Sequence, residues 1–376
     1  MISKANSSKV SFFHLLQGIS PLTFENYMEL ALYHPDYGYY ARGNVPGKEG
    51  DYITAPCINK AFGATLALQV LEVYEILGKS KDFAIVEMGA GAGYLAYDML
   101  SYLKSKGFDF PYYIVEPFLP LKAIQEERLS DFKDKILWID SLEKLPLFEG
   151  VFVANELFDA LPVHLVEKRE GDLWEIWVEF TEEEVREFLG ELSETEVLSR
   201  VYPYFSAWQE GYRTEICTKA WDIYEKLSQK LQRGLMLILD YGYPRGDLYH
   251  PQRSRGTLLC YYRQRVVENP YFKPGHIDIT AHVDFTYLRE LGERFGFINL
   301  GFTGQGSYLV SLGIDRVFQE ITNGSQREKE ALKMLLLPEG LGQTHWVLAQ
   351  GRFYGKNPAS KMKGFAFSNR IRLLYS

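Results

Sequence analysis

The sequence predicts an α/β fold built on a mainly parallel sheet, and three observations predict it. Short apolar runs alternate with helix-like stretches between residues 81 and 351. A glycine-rich turn joins the first run to a helix, and acids end three successive runs. Strands that alternate with helices form βαβ units, which assemble into parallel sheets. The first run is Phe83-Ala84-Ile85-Val86-Glu87. Leu95, Met99 and Leu103 then recur at helical spacing, with Ala96 and Leu100 beside them. Further strands are expected at Tyr112 to Val115, Ile136 to Ile139, Val151 to Ala154 and Leu235 to Leu239.

Other segments flank or interrupt this rhythm. Residues 1–80 mix short helical patterns with turn signals such as His34-Pro35-Asp36-Tyr37-Gly38, and read as an N-terminal helical lobe packed through aromatics such as Phe24, Tyr27 and Tyr33. A first insertion, about 165–230, holds the alternating stretch Leu173 to Val178. The acidic run Glu182 to Glu196 follows it and reads as a solvated helical face. A second insertion, about 244–283, is rich in Pro, Gly and Arg and reads as loop over the sheet's end. Residues 352–376 carry six Lys or Arg and no acid, the pattern of a mobile basic tail.

Composition narrows the functional classes. A chain of 376 residues, 46% hydrophobic, can bury a substantial core. No apolar run reaches the roughly eighteen residues of a membrane span. The first residues lack both the apolar stretch of a secretory signal and the Arg content of a mitochondrial presequence. Three scattered cysteines argue against a disulfide framework, and histidine spacing gives no support for a metal site. A net charge of −8 disfavours broad attachment to nucleic acid.

The turn Glu87-Met88-Gly89-Ala90-Gly91-Ala92-Gly93 is where a ligand is expected. Glycines permit the sharp bend and the close approach of a ligand to backbone. Position 94 is Tyr94, so the dinucleotide spacing GxGxxG is not met. Glu87 would also repel a pyrophosphate. The same carboxylate suits S-adenosylmethionine (SAM), which has no phosphate but carries an ammonium and a sulfonium. Glu116, ending the second run, can accept hydrogen bonds from both ribose hydroxyls. Asp140, after the third, can accept from an adenine amino group.

Several blocks then resemble one family. Gly50-Asp51-Tyr52-Ile53-Thr54-Ala55-Pro56 is similar to the GDF-[IV]-T-[SA]-P signature of the MidA-type methyltransferases. The likeness continues through Glu87 to Gly93, Ala154 to His164, Leu239-Asp240-Tyr241-Gly242, Gly256 to Leu258 with Tyr261-Tyr262, and Asp278 to Phe285. Cys57 stands where the family carries an acid and Asn59 where it carries serine. The resemblance implies a seven-stranded class I SAM-dependent methyltransferase fold, a protein substrate, and a GDYITAP segment folded over the cofactor with Asp51 and Thr54. The family includes the mitochondrial arginine methyltransferase needed for respiratory complex I assembly. A respiratory-complex subunit is therefore the implied partner, in the cytoplasm of a prokaryote or the mitochondrial matrix of a eukaryote.

These blocks, with the residue chemistry, set the expected roles. Gly89, Ala90, Gly91 and Gly93 cradle the cofactor beside Glu87 and Glu116, and Asn155 orients cofactor or substrate through its amide. Glu156 is the main acceptor-binding group and Asp159 a second carboxylate, because carboxylates grip two guanidinium nitrogens and accept a proton. Asp159 serves equally as a helix cap and Asn155 as a turn residue. Asp240 reads either as pocket lining or as a cap for the next turn. His282 is a proton acceptor or a packing histidine. Two other functions stand beside protein arginine methylation. RNA methylation would use Arg253, Arg255, Arg263 and Arg265 among Tyr249, Tyr261 and Tyr262. A non-catalytic assembly factor would keep only the fold.

Overall fold

The computed structural model describes residues 11–45, 54–342, 344–354, 358 and 362–375. Its central sheet has seven principal strands: β1 Phe83–Met88, β2 Tyr112–Val115, β3 Ile136–Ile139, β4 Phe148–Asn155, β5 Leu231–Tyr243, β6 Ile298–Gly304 and β7 His345–Arg352. Their order is β6-β7-β5-β4-β1-β2-β3. Neighbours from β5 to β3 pair in parallel, and β7 runs antiparallel to both β5 and β6. A two-residue strand, Val283–Asp284, pairs with the end of β5. This is the expected class I sheet, with the switch point between β1 and β4.

Burial on both faces explains the continuous apolar runs. Side chains alternate, so Val151, Val153, Leu235, Leu237 and Leu239 pack toward one layer and Phe152, Ala154, Met236 and Ile238 toward the other. Helices Ala61–Ile76, Tyr94–Ser105 and Gln305–Leu312 contribute to the first layer; Ala220–Lys230 and Phe285–Arg294 contribute to the second. No helix among the described residues is long and apolar enough to cross a membrane.

The accessory parts differ from expectation in four places. The expected lobe 1–80 divides. Helices Phe12–Ile19 and Phe24–Tyr33 bury Phe24 and Tyr27 with Val163 and with Leu165, Ile176 and Val178 of the first insertion. Helix Ala61–Ile76 instead belongs to the core, because Gly63 lets helix Tyr94–Ser105 come close: a Cβ there would lie 2.8 Å from that of Asp98. The acidic run is not a continuous helix. Thr181 closes a tight turn on Glu184, folding Val185–Gly190 back as a strand against Asp172–Phe180, and a helix begins only at Thr195.

The second insertion is more than loop. It forms a three-stranded sheet of Leu259–Tyr262, Arg265–Val267 and Asp278–Thr280. Nor is the described part of the basic tail free. Met362, Phe365 and Leu374 are buried, Phe365 packs on Tyr308, and Arg370 N–H donates to the Phe302 carbonyl at 2.6 Å. Its apolar residues, which the charge count overlooks, anchor it to the sheet.

Candidate active site

The sheet's carboxyl ends converge on a hollow of about 960 Å³, counting its open mouth. Gly89 and Gly93 sit in the left-handed region, at φ of 79° and 80°. A Cβ on Gly89 would meet Leu157 Cδ1 at 3.0 Å. Gly89, Ala90, Gly91 and Ala92 line the hollow, while Gly93 stands behind them at the start of helix Tyr94–Ser105. Helix Leu119–Arg128 holds this turn from the side. Gln125 Nε2 donates to the Gly91 carbonyl and to Glu116 Oε2, each at 2.9 Å, and Trp138 Nε1 donates to Gln125 Oε1 at 3.0 Å. Arg128 Nε donates to the Ala92 carbonyl at 2.7 Å.

Two of the three strand-ending acids face this hollow. Glu87 is buried and accepts from the Tyr112 hydroxyl at 2.6 Å; burial pushes its carboxyl up to about 7 despite that bond. Glu116 accepts from the Phe118 N–H at 3.0 Å as well as from Gln125, and burial likewise raises it to about 7. Asp140 is a correction. It is exposed at the end of edge strand β3, paired at 2.6 Å with Lys144, and does not line the hollow. Thr54 does line it; Asp51 lies outside the described residues.

The other side of the hollow begins where β4 ends. Glu156 has φ of 51°, uncommon for a side chain other than glycine. Fully buried Asp240, from β5, holds the turn that follows. Its Oδ2 accepts from the N–H groups of Leu157, Phe158 and Asp159 at 3.2, 2.9 and 3.3 Å. Neither reading fits as made: Asp240 does not line the hollow, and the turn it caps follows β4, not β5. Glu156 Oε1 accepts from the Ala55 N–H at 3.2 Å and from Asn155 Nδ2 at 3.3 Å. That first contact ties the Thr54-Ala55-Pro56 segment to the site. Burial, then the nearby Asp159, pushes Glu156 up to about 8. Asp159 is buried outside the lining of the hollow; burial raises its carboxyl, and a hydrogen bond with the Tyr241 side chain works against that rise. Asn155 Oδ1 and Asp159 Oδ1 are buried without hydrogen-bond partners among the described residues.

His282 does not reach this hollow. It lies between the rings of Tyr241 and Tyr243, 5.3 Å from each, and burial holds it down to about 4. The histidine nearest Glu156 is His345, at 3.9 Å from Nε2 to Oε1. It comes from β7, where it registers against Tyr241. The sequence reading missed Gln125 and His345, which stand against site acids, and wall residues such as Tyr40 and Phe118.

The cavity suits a small cationic nucleoside. It offers buried acids, an unsatisfied amide oxygen and a bend without side-chain bulk, and Tyr33, Tyr40 and Phe118 supply flat apolar walls. Fold and site together define a class I methyltransferase. A family model described as "Putative S-adenosyl-L-methionine-dependent methyltransferase" matches residues 65–303, and the chain belongs to that family. It is 28% identical to the mitochondrial protein arginine methyltransferase NDUFAF7 of Danio rerio, covering 91% of this chain and 86% of that one. Against the human protein of the same name the figures are 26%, 95% and 85%. A Burkholderia thailandensis protein, crystallised with S-adenosyl-homocysteine bound, is 31% identical with a TM-score of 0.85. That match covers 94% of this chain and 92% of that one.

Proposed function

We propose that this enzyme methylates an arginine side chain of a protein, and that its acids divide into a cofactor set and an acceptor set. One observation carries the reading. Asp159 lies close enough to raise the cost of ionising Glu156, whose side chain is 6% exposed on the wall of the hollow, yet among the described residues neither acid pairs with a lysine or arginine. Buried carboxylates left without a cation form a seat for an incoming one. A guanidinium fits because its several donors match carboxylates in a planar fork. The names of the curated relatives support the same acceptor.

Glu87 would face the cofactor's ammonium, Glu116 its ribose hydroxyls, and the Gly89 to Gly91 backbone would lie against it beside Asn155. When bound, S-adenosylmethionine supplies an electrophilic methyl group. The chain's own contribution is mainly positioning. Glu156 holds the guanidinium, Asp159 adds negative charge from outside the lining of the hollow, the two draw positive charge away from the reacting nitrogen, and Glu156 takes the proton that nitrogen loses. The segment beginning at Thr54 closes the site and limits water. The protein acceptor is a respiratory-complex subunit in this reading.

Incubating the protein with methyl-labelled S-adenosylmethionine in a lysate that lacks it, then mapping the label, tests the proposal. Label on guanidinium nitrogens of one or a few proteins is expected. Label confined to lysine, carboxylate or RNA would refute the arginine assignment.

A further inference from the structure

We infer that two tyrosines of the N-terminal lobe, Tyr33 and Tyr40, position the acceptor end of the hollow through their hydroxyls while their rings wall it. The inference rests on the arginine reading above and adds two positioning residues to it.

Local sequence brings the two rings together. Helix Phe24–Tyr33 ends at Tyr33, and the chain doubles back through His34-Pro35-Asp36-Tyr37-Gly38. Gly38 N–H donates to the His34 carbonyl at 2.8 Å, and Tyr39 N–H to the Ala31 carbonyl at 2.9 Å. A Cβ on Gly38 would lie 2.6 Å from the Leu32 carbonyl oxygen, so the tight reversal needs glycine there. Tyr40 therefore stacks on Tyr33, with ring centroids 5.4 Å apart and planes at 29°. Both residues line the hollow.

Their hydroxyls reach the turn that carries the acceptor acids. Tyr33 donates to the Ala160 carbonyl at 2.9 Å, one residue past Asp159. Ala281 N–H donates to the Asp159 carbonyl at 2.9 Å, and Asp240 accepts from the three N–H groups before it. Three separate elements thus hold this turn. Tyr33 lines the hollow, whereas Asp240 and Ala281 do not. Tyr40 donates to Asp278 Oδ1 at 2.9 Å. Asp278 is fully buried and begins the strand Asp278–Thr280, which leads directly into Ala281.

The charge of Asp278 is felt at both contacts. After burial, it is the leading cause that raises the Tyr33 hydroxyl well above its ordinary range, so that hydroxyl stays a donor. It also adds to burial and to Asp159 in raising the Glu156 carboxyl. Tyr40 accordingly fixes an acid whose field reaches the proposed guanidinium seat. Phenylalanine in place of either tyrosine would keep the wall and drop the bond.

The test uses the full chain saturated with S-adenosyl-homocysteine for binding, and with S-adenosylmethionine for transfer. Probes are twelve-residue peptides with one central arginine, or with citrulline, its neutral isostere. The wild-type protein is expected to bind the arginine peptide about tenfold more tightly, the scale of one charge-assisted contact. Tyr33→Phe and Tyr40→Phe are each expected to lower kcat/KM for the arginine peptide about threefold to tenfold, the scale of one hydrogen bond. Each should narrow the preference for arginine over citrulline by a similar factor, with S-adenosyl-homocysteine affinity held within about twofold as the control for folding. Asp278→Asn should act in the same direction, and adding Tyr40→Phe to it should change little more, as for two members of one contact. Equal weakening of both peptides, a parallel loss of S-adenosyl-homocysteine, or no change in either Phe variant would overturn the positioning role and leave arginine methylation standing. If the wild-type protein binds both peptides alike, or methylates no arginine peptide while the cofactor still binds, the arginine reading itself fails, and this inference with it.

Discussion

The two halves of the site treat their acids differently. On the cofactor side, each carboxylate meets a neutral donor of the chain: Glu87 has the Tyr112 hydroxyl, and Glu116 has Gln125 and the Phe118 N–H. On the other side Glu156 also has neutral donors, the Ala55 N–H and the Asn155 amide, but it faces the charge of Asp159 as well, and Asp159 and neighbouring Asn155 keep oxygens without partners among the described residues. Donors supplied by the fold aim an acid at a ligand of fixed shape. Acids left mutually repelling gain most when a cation arrives. The proposed division puts the cofactor at β1 and β2, and the acceptor at the end of β4.

Substitutions on either side can break that division. Glu156→Gln has the largest expected effect, a fall in methyl transfer of about a thousandfold, because both the guanidinium grip and the proton acceptor go. Its affinity for S-adenosylmethionine, read by calorimetry, should stay within about threefold; a parallel loss of cofactor binding would merge the two halves. Glu116→Ala should weaken cofactor binding about thirtyfold to a hundredfold through lost bonds to a charged acceptor. Retained affinity would remove the ribose role.

Smaller effects sharpen the boundary. His345→Gln should lower kcat about tenfold with little change in cofactor affinity, on the scale of one assisting proton-transfer group. An unchanged kcat would make His345 mere packing. Asp140→Ala should alter cofactor affinity by less than about twofold, since exposed ion pairs contribute little. A large loss there would restore the adenine contact.

What could be read in the sequence follows from how local each feature is. β2 and β3 are short apolar runs bounded by turns, and their limits match the sequence reading. β6 is interrupted by Asn299, Gly301 and Gly304, which hide its period. The ladder is irregular between Asn299 and Gly301, and Gly301 has no Cβ because the Phe365 ring lies against it. In the site, a strand-ending acid was visible for Glu87, Glu116 and Glu156. Asp140 shares that position, but its orientation on an edge strand is set by solvent and Lys144. His345 was invisible because β7 returns antiparallel beside β5 from a hundred residues further along the chain, which brings it to Tyr241 and Glu156. Gln125 acts across a helix–turn contact that spacing alone does not reveal.

The most direct measurement follows the proton on Glu156. Burial and Asp159 raise its carboxyl to about 8, so at pH 7 it is mostly protonated before an acceptor binds. A guanidinium beside it favours the charged form and lowers that value, so binding must release a proton. Calorimetry of an arginine peptide into the S-adenosyl-homocysteine-saturated protein at pH 7, repeated in buffers of different ionisation enthalpy, should show release of about one proton per peptide. The release should vanish in Glu156→Gln. Binding without proton release in the wild-type protein, or the same release in the variant, would contradict Glu156 as the seat of the acceptor.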